Sequence, residues 1–191
     1  MAILKIARMG HPVLLQRAVE VSDPTAPEIR RLVADMIETM EDASGAGLAA
    51  PQVHASLRIF VFRVPEGRGS GDADDRPVGT TVVINPRVQP VGEDLRLRWE
   101  GCLSIPGLRA AVPRHWRIRY SGVDTEGRPL GGEVTGFHAG VVQHENDHLD
   151  GVLYPMRMTD LRLFGFNEEL AKAEALAAQH LAARQAAEAG R

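Results

Sequence analysis

The sequence predicts an α+β fold: short antiparallel β-strands packed around a central helix, with an amphipathic helix near the N-terminus and another helix at the C-terminus. Three observations predict it. Ile29, Leu32, Val33, Met36, Ile37 and Met40 recur at helical spacing and form one buried stripe. Short β-branched or alternating runs between residues 57 and 123 are separated by glycine and polar turns. A second helical stretch follows them and carries Gln143-His144-Glu145-Asn146-Asp147-His148. Strands followed by a core helix, rather than alternating with helices, indicate α+β. There is no internal repeat. Residues 1–165 are expected to form one domain, with 166–191 a C-terminal helical extension of it.

The elements follow in order. Ile3 and Ile6 precede a turn at Gly10-His11-Pro12. Thr25 is placed to cap the first helix, with Pro27 in its first turn and Glu28 completing a capping box. That helix should end near Ala43-Ser44. Gly45-Ala46-Gly47-Leu48-Ala49-Ala50-Pro51-Gln52 is poor in side-chain cover, so another chain can approach its backbone. Leu57–Val64 reads as a strand, residues 66–79 as a polar, glycine-rich loop without chemistry, and Thr81–Ile84 as a strand ended by Asn85-Pro86. Leu95, Leu97 and Trp99 alternate with Arg96, Arg98 and Glu100, which reads as a strand with its apolar side buried. Trp116–Val123 is another strand, Asp124-Thr125-Glu126-Gly127 a turn, and Gly131–Thr135 leads into the metal-binding helix, which Gly151 stops. From Thr159 the pattern is helical, alanine-rich by Ala171, and beyond about residue 182 it should fray.

With 191 residues the chain suits one domain with a sizeable core. A net charge of −3 argues against nucleic acid or an anionic membrane as partner, and no apolar run approaches a membrane span. Lys5, Arg8, Gly10, His11 and Pro12 break the N-terminal stretch, so it does not read as a signal peptide. One cysteine, Cys102, forms no internal disulfide, which points to the reducing cytoplasm.

His144 and His148 are four apart, one turn on one helical face, close enough to bind one metal ion. Glu145 can reach a metal-bound water rather than the metal itself. Such pairs also arise on solvated helices, and a catalytic site needs a third protein ligand. Two residues compete for that place. Cys102 follows a strand behind Glu100-Gly101, and two histidines with a thiolate leave one position for water. Glu168, twenty residues after His148, would instead complete a zinc-peptidase site and leave Cys102 idle. His138 is a further competing ligand. A third reading is a catalytically silent binding module or a structural metal site.

Gly45-Ala46-Gly47-Leu48-Ala49-Ala50-Pro51-Gln52, Glu100-Gly101-Cys102-Leu103-Ser104 and Gln143-His144-Glu145-Asn146-Asp147-His148 occur once each, in that order. Together they resemble the three motifs of the peptide deformylases, over roughly residues 5–160. Arg109 and Arg114 fit the same pattern. Two departures are Leu15, where arginine often follows His-Pro-x-Leu, and Ala46, where a larger β-branched residue is common.

The resemblance implies an enzyme that removes the formyl group from N-formylmethionyl nascent peptides. It implies Cys102, His144 and His148 as ligands of one divalent ion, with Glu145 as general base and then acid. The backbone N–H of Leu103 and the side-chain amide of Gln52 would hold the formyl oxygen. Cys-His-His suits zinc, iron and others; the resemblance implies ferrous iron, with zinc, nickel or cobalt as alternatives. Gly45, Ala46, Gly47, Glu100, Gly101 and Arg109 are expected on the substrate side. Gly140, Val141 and Phe137 precede His144 on its face of the helix and are expected to form an apolar pocket for methionine. Gln143 and Asp147 are expected to orient the ligands. The ribosome is a candidate partner, although an alanine-rich tail nearly balanced in charge is a weak electrostatic dock for RNA.

Overall fold

Helix α1 spans Pro27–Asp42 and buries Ile29, Val33, Met36 and Met40, with Leu32 and Ile37 packed beside them, as the stripe predicts. The structure is a computed structural model and describes residues 2–173. The helix start differs from expectation. Ala26 is the N-cap and no side chain caps the helix, because Thr25 turns its N–H and hydroxyl to the Asp23 carboxylate. Pro27 still fits the first turn, where no N–H is needed.

Eight strands follow: β1 Gly47–Ala49, β2 Ile59–Val64, β3 Val78–Pro90, β4 Leu95–Cys102, β5 Ile105–His115, β6 Arg117–Val123, β7 Pro129–Thr135 and β8 Phe164–Phe166. They form two antiparallel sheets, ordered β1-β2-β3-β6-β7 and β4-β5-β8. Between β7 and β8 runs helix α2, Gly136–Leu149, in which every residue except Phe137, Gln143 and Asn146 is buried. Its apolar members Ala139, Val142 and Leu149 join Phe60, Phe62, Val83, Ile118 and Val134 in one core. Gly151 ends the helix with φ +73°, and its N–H bonds the His148 carbonyl. The fold is thus α+β. Among the described residues no helix is long and apolar enough to cross a membrane.

Four further differences bear on the site. First, β3 does not end at Asn85-Pro86. Asn85 takes a left-handed φ of 51° at a register shift, and its amide bonds both the N–H and the carbonyl of Val21, which stabilises the bulge. Second, residues 105–115, given no element from sequence, form β5, the central strand of its sheet, despite Pro106, Gly107 and Pro113. β8 covers it only at Leu108–Ala110, so the prolines lie where β5 has a free edge.

Third, β4 is inverted relative to its apolar alternation. Leu95, Leu97 and Trp99 are 56, 58 and 42% exposed, while Glu100 is buried. Alternate strand residues face opposite sides, and here the inward side is occupied by the polar groups of the site. Fourth, residues 159–166 are not α-helical. Leu161–Leu163 is a 3-10 turn and Phe164–Phe166 pairs with β5, as aromatic residues favour; helix begins at residue 167. The strand β8 spans the expected boundary at 165/166. The expected fraying beyond residue 182 lies outside the described residues.

The polar loop before β3 holds one buried anchor. Asp75 is 4% exposed, and its carboxylate accepts the N–H groups of Phe137 at 2.9 Å, His138 at 3.0 Å and Ser70 at 2.6 Å. The first turn of a helix leaves such N–H groups without intrahelical partners. A residue sixty positions upstream therefore caps α2, the helix that bears both candidate histidine ligands. Gly136 fits beneath it with φ +58°.

Candidate metal centre

Three elements deliver the predicted ligands to one point. Cys102 ends β4 just past a register shift, where a bulge re-aims the side chain. His144 and His148 stand one turn apart on α2, their ring centroids 5.1 Å apart. The Cys102 sulfur and one nitrogen from each imidazole lie within 4.8 Å of one another, and Cys102 Sγ is 3.2 Å from His148 Nε2. Among the described residues this is the one group of three or more His, Cys, Asp and Glu side chains so arranged.

Glu168 is exposed and outside the group. His138 points elsewhere, between Phe62 and Tyr120 at 5.1 and 5.6 Å, and burial pushes its pKa down to about 4. It is a core histidine.

The donor set fits a divalent ion. Burial opposes charge on Cys102, but the adjacent His148 and His144 imidazoles outweigh it and hold the thiol well below its ordinary range, toward the ligating thiolate. His144 Nδ1 lies 2.8 Å from the Glu100 carboxylate, which assigns the proton to Nδ1 and leaves the Nε2 lone pair for a metal. Glu100 in turn takes two bonds from Arg114, at 2.8 and 2.9 Å. Against the penalty of burial, Arg114 and His144 hold its carboxyl at about 2. Arg114 also donates to Asp147 at 2.6 Å, and Asp147 accepts from Arg157. Asp147 therefore reaches His144 through Arg114 and Glu100. Gln143 braces α2 against β5 by bonding both the N–H and the carbonyl of His115.

Glu145 is 3% exposed, its Oε2 has no hydrogen-bond partner, and burial pushes its carboxyl up to about 7. A Cβ at Gly47 would overlap this carboxyl, 2.6 Å from its Cδ, so glycine on β1 gives the acid its space. The Gln52 side-chain oxygen accepts the Ala49 N–H at 2.8 Å, which turns its amide NH₂ toward Ser104 Oγ at 3.1 Å and Cys102 Sγ at 3.5 Å.

A cavity of about 450 Å³ opens on this group. Gly45, Ala46 and Gly47 form one wall, Glu100, Gly101, Cys102 and Leu103 another, and Phe137, Gly140, Val141, His144 and Glu145 its helical side. Of the expected site residues, His148 lies behind the cavity and Arg109 outside it, with the Arg109 guanidinium 5.1 Å over the Trp99 ring. The Glu100 carboxylate is engaged by Arg114 and His144. Sequence reasoning missed Arg98, which lines the cavity, because it read that side of β4 as facing water. It missed Asp75 because nothing in a polar loop distinguishes one aspartate from its neighbours.

A family model described as polypeptide deformylase matches residues 3–163. A peptide deformylase of Nitrosomonas europaea is 49% identical over 92% of this chain and 98% of its own length. The chain belongs to the polypeptide deformylase family. One from Ralstonia nicotianae is 46% identical over 88% of this chain and 94% of its own. Among solved structures, the Thermotoga maritima peptide deformylase superposes with TM-score 0.75 at 35% identity, covering 84% of this chain and all of that one. The Ehrlichia chaffeensis peptide deformylase in complex with actinonin gives 0.78 at 33% identity, over 85% and 92% of the two chains. As a peptide deformylase, the protein is a hydrolase that removes the N-formyl group from new polypeptides. The peptidase reading built on Glu168 is not favoured.

Proposed function

We propose that Cys102, His144 and His148 hold one divalent ion, ferrous iron by preference over zinc, nickel or cobalt, and that Glu145 moves the proton during hydrolysis of the formyl amide. The observation that carries this reading is the buried Glu145 carboxylate, unpartnered at Oε2, beside a sulfur–nitrogen–nitrogen donor set. When bound, such an ion supplies Lewis acidity and a water acidic enough to deprotonate near neutral pH. The chain's own groups do the rest. Gly45, Ala46 and Gly47 on one side, and Glu100 and Gly101 on the other, flank the peptide, whose main chain adds beside β1 as a strand, with Arg109 outside the cavity beyond them. The Gln52 amide and the Leu103 N–H donate to the formyl oxygen as charge builds there; one such donor is worth about 3 kcal/mol in a transition state. Glu145 takes the proton of the attacking water and returns it to the departing amine, and formate leaves. The first side chain enters the end of the cavity near Phe137, Gly140 and Val141.

We assign the chain to the cytoplasm, where nascent formylated chains arise, with the ribosome as candidate partner and residues 166–191 as an extension of the catalytic domain. The test is formate release from a formyl-methionyl tripeptide by protein purified without oxygen and loaded with ferrous iron. Internal peptide cleavage is followed in the same tube. Formate without cleavage is expected, abolished by Cys102→Ser and untouched by Glu168→Gln. Cleavage without formate, or formate from Cys102→Ser, would sink the assignment.

A further inference from the structure

The pocket for the first side chain is not wholly apolar. Arg98, on the inward side of β4, lines it. Its guanidinium occupies the volume in front of Gly140: a Cβ on that residue would stand 2.5 Å from Arg98 Nε and closer still to Cζ. Gly140 therefore makes room for Arg98, not for the ligand. The guanidinium lies 5.3 Å from the Phe137 ring centroid and donates from Nη1 to the Gly136 carbonyl. Among the described residues it has no other hydrogen bond and no carboxylate within 4 Å, and its Nε is buried without a partner. The nearby carboxylates are engaged elsewhere, Asp75 with the first turn of α2 and Glu100 with Arg114 and His144.

A half-buried cation with no carboxylate in direct contact is costly in a fold. Placed in a substrate cavity it gives that cavity spare, charge-assisted donors. An unbranched side chain that reaches it meets a hydrogen-bond donor at its tip. A thioether sulfur is a weak acceptor, a sulfoxide oxygen a strong one, and a methylene none. On a chain that begins with formylmethionine, the acceptor that can reach this donor is the thioether sulfur or, once oxidised, the sulfoxide oxygen.

We propose that Arg98 is a specificity-determining residue that reads an acceptor atom at the tip of the first side chain. The enzyme then deformylates chains that begin with formylmethionine sulfoxide as well as formylmethionine, and discriminates against norleucine, the acceptor-free isostere. This rests on the deformylase reading of the cavity given above. A site built to donate a hydrogen bond rejects an analogue that cannot accept it, because the donor is left buried and unpaired.

The experiment compares formyl-Met-Ala-Ser, its sulfoxide and the formyl-norleucine peptide on anaerobic, iron-loaded protein. The variants are wild type, Arg98→Met, Arg98→Lys and Gly140→Ala, the last of which expels the guanidinium without removing it. Substrate ratios within one preparation cancel metal occupancy and folded fraction. The sulfoxide-to-norleucine ratio of kcat/KM should exceed one in wild type and fall about tenfold or more in Arg98→Met and Gly140→Ala, with partial recovery in Arg98→Lys. Calorimetric binding of the product peptides Met(O)-Ala-Ser and Nle-Ala-Ser should show the same order. A ratio within twofold of wild type in Arg98→Met, with formylmethionine still processed, overturns the role of Arg98 alone. No formate from any of the three peptides overturns the deformylase reading and this inference with it.

Discussion

The Glu100 carboxylate joins His144 to Arg114: Oε2 lies 2.8 Å from His144 Nδ1 while both oxygens accept from the guanidinium. This one carboxylate orients the imidazole proposed as a ligand, fixes its tautomer and neutralises a buried cation. Glu100→Gln should lower metal affinity about 10- to 100-fold, the usual effect of losing a group that orients a ligand. It should also lower stability, because Arg114 keeps only Asp147 as a buried counter-charge. Chelator competition and thermal unfolding read the two effects separately; unchanged metal affinity would contradict the role.

Gly47→Ala tests the contact between β1 and the acid. A methyl group there must displace Glu145 or the strand. A misplacement of about 1 Å at a reacting group costs on the order of 100-fold, so kcat/KM should fall by about that factor while bound metal stays stoichiometric. Activity within a few-fold of wild type would show that Glu145 has room to move.

Asp75→Ala removes the cap of α2 and leaves the Phe137 and His138 N–H groups unpaired. Loss of such a cap costs about 1–2 kcal/mol, which in a chain of this size lowers Tm by roughly 2–8 °C. Differential scanning calorimetry reads it, and an unchanged Tm would mean the loop is dispensable.

His138 predicts an acid sensitivity separate from the metal ligands. Burial holds it near 4 in the folded chain, against 6.5 for the free side chain. Below pH 6.5 the unfolded chain gains a proton that the folded chain refuses, so stability falls as pH drops from 6.5 toward 4 and this contribution is flat below that. His138→Phe, which keeps an aromatic ring between Phe62 and Tyr120, should reduce the stability difference between pH 7 and pH 4.5 by on the order of 2 kcal/mol. Urea unfolding at both pH values measures it; identical differences in the two proteins would refute it.

The convergence of Cys102, His144 and His148 was legible in the sequence because each sits in a compact motif, and the stripe of α1 because Ile29 to Met40 answers to a single buried side. Most of what failed traces to polar residues with tertiary partners. Alternation in β4 pointed Leu95, Leu97 and Trp99 inward, but Arg98 and Glu100 face the cavity, and the apolar side faces water. Thr25 looked like a cap until Asp23 took its hydroxyl. Pro106 and Pro113 concealed β5, since sequence alone does not say how far β8 extends along it. Arg114 fitted a pattern, but its bridge between Glu100 and Asp147 joins residues 33 and 14 positions away, beyond any local reading.

The capping of α2 by Asp75 has a consequence for how this chain can change. Residues 66–74 have exposed side chains, but Arg68 lines the cavity and Asp72 and Asp74 accept from Trp116 and Arg117, so insertion should be tolerated best at Glu66-Gly67, before these contacts begin. Position 75 is different, because the helix that carries His144, Glu145 and His148 begins beneath its carboxylate. Lineages and engineers are free to rewrite the length of this loop only where an acidic anchor returns to the same place; otherwise the catalytic helix frays from its first turn.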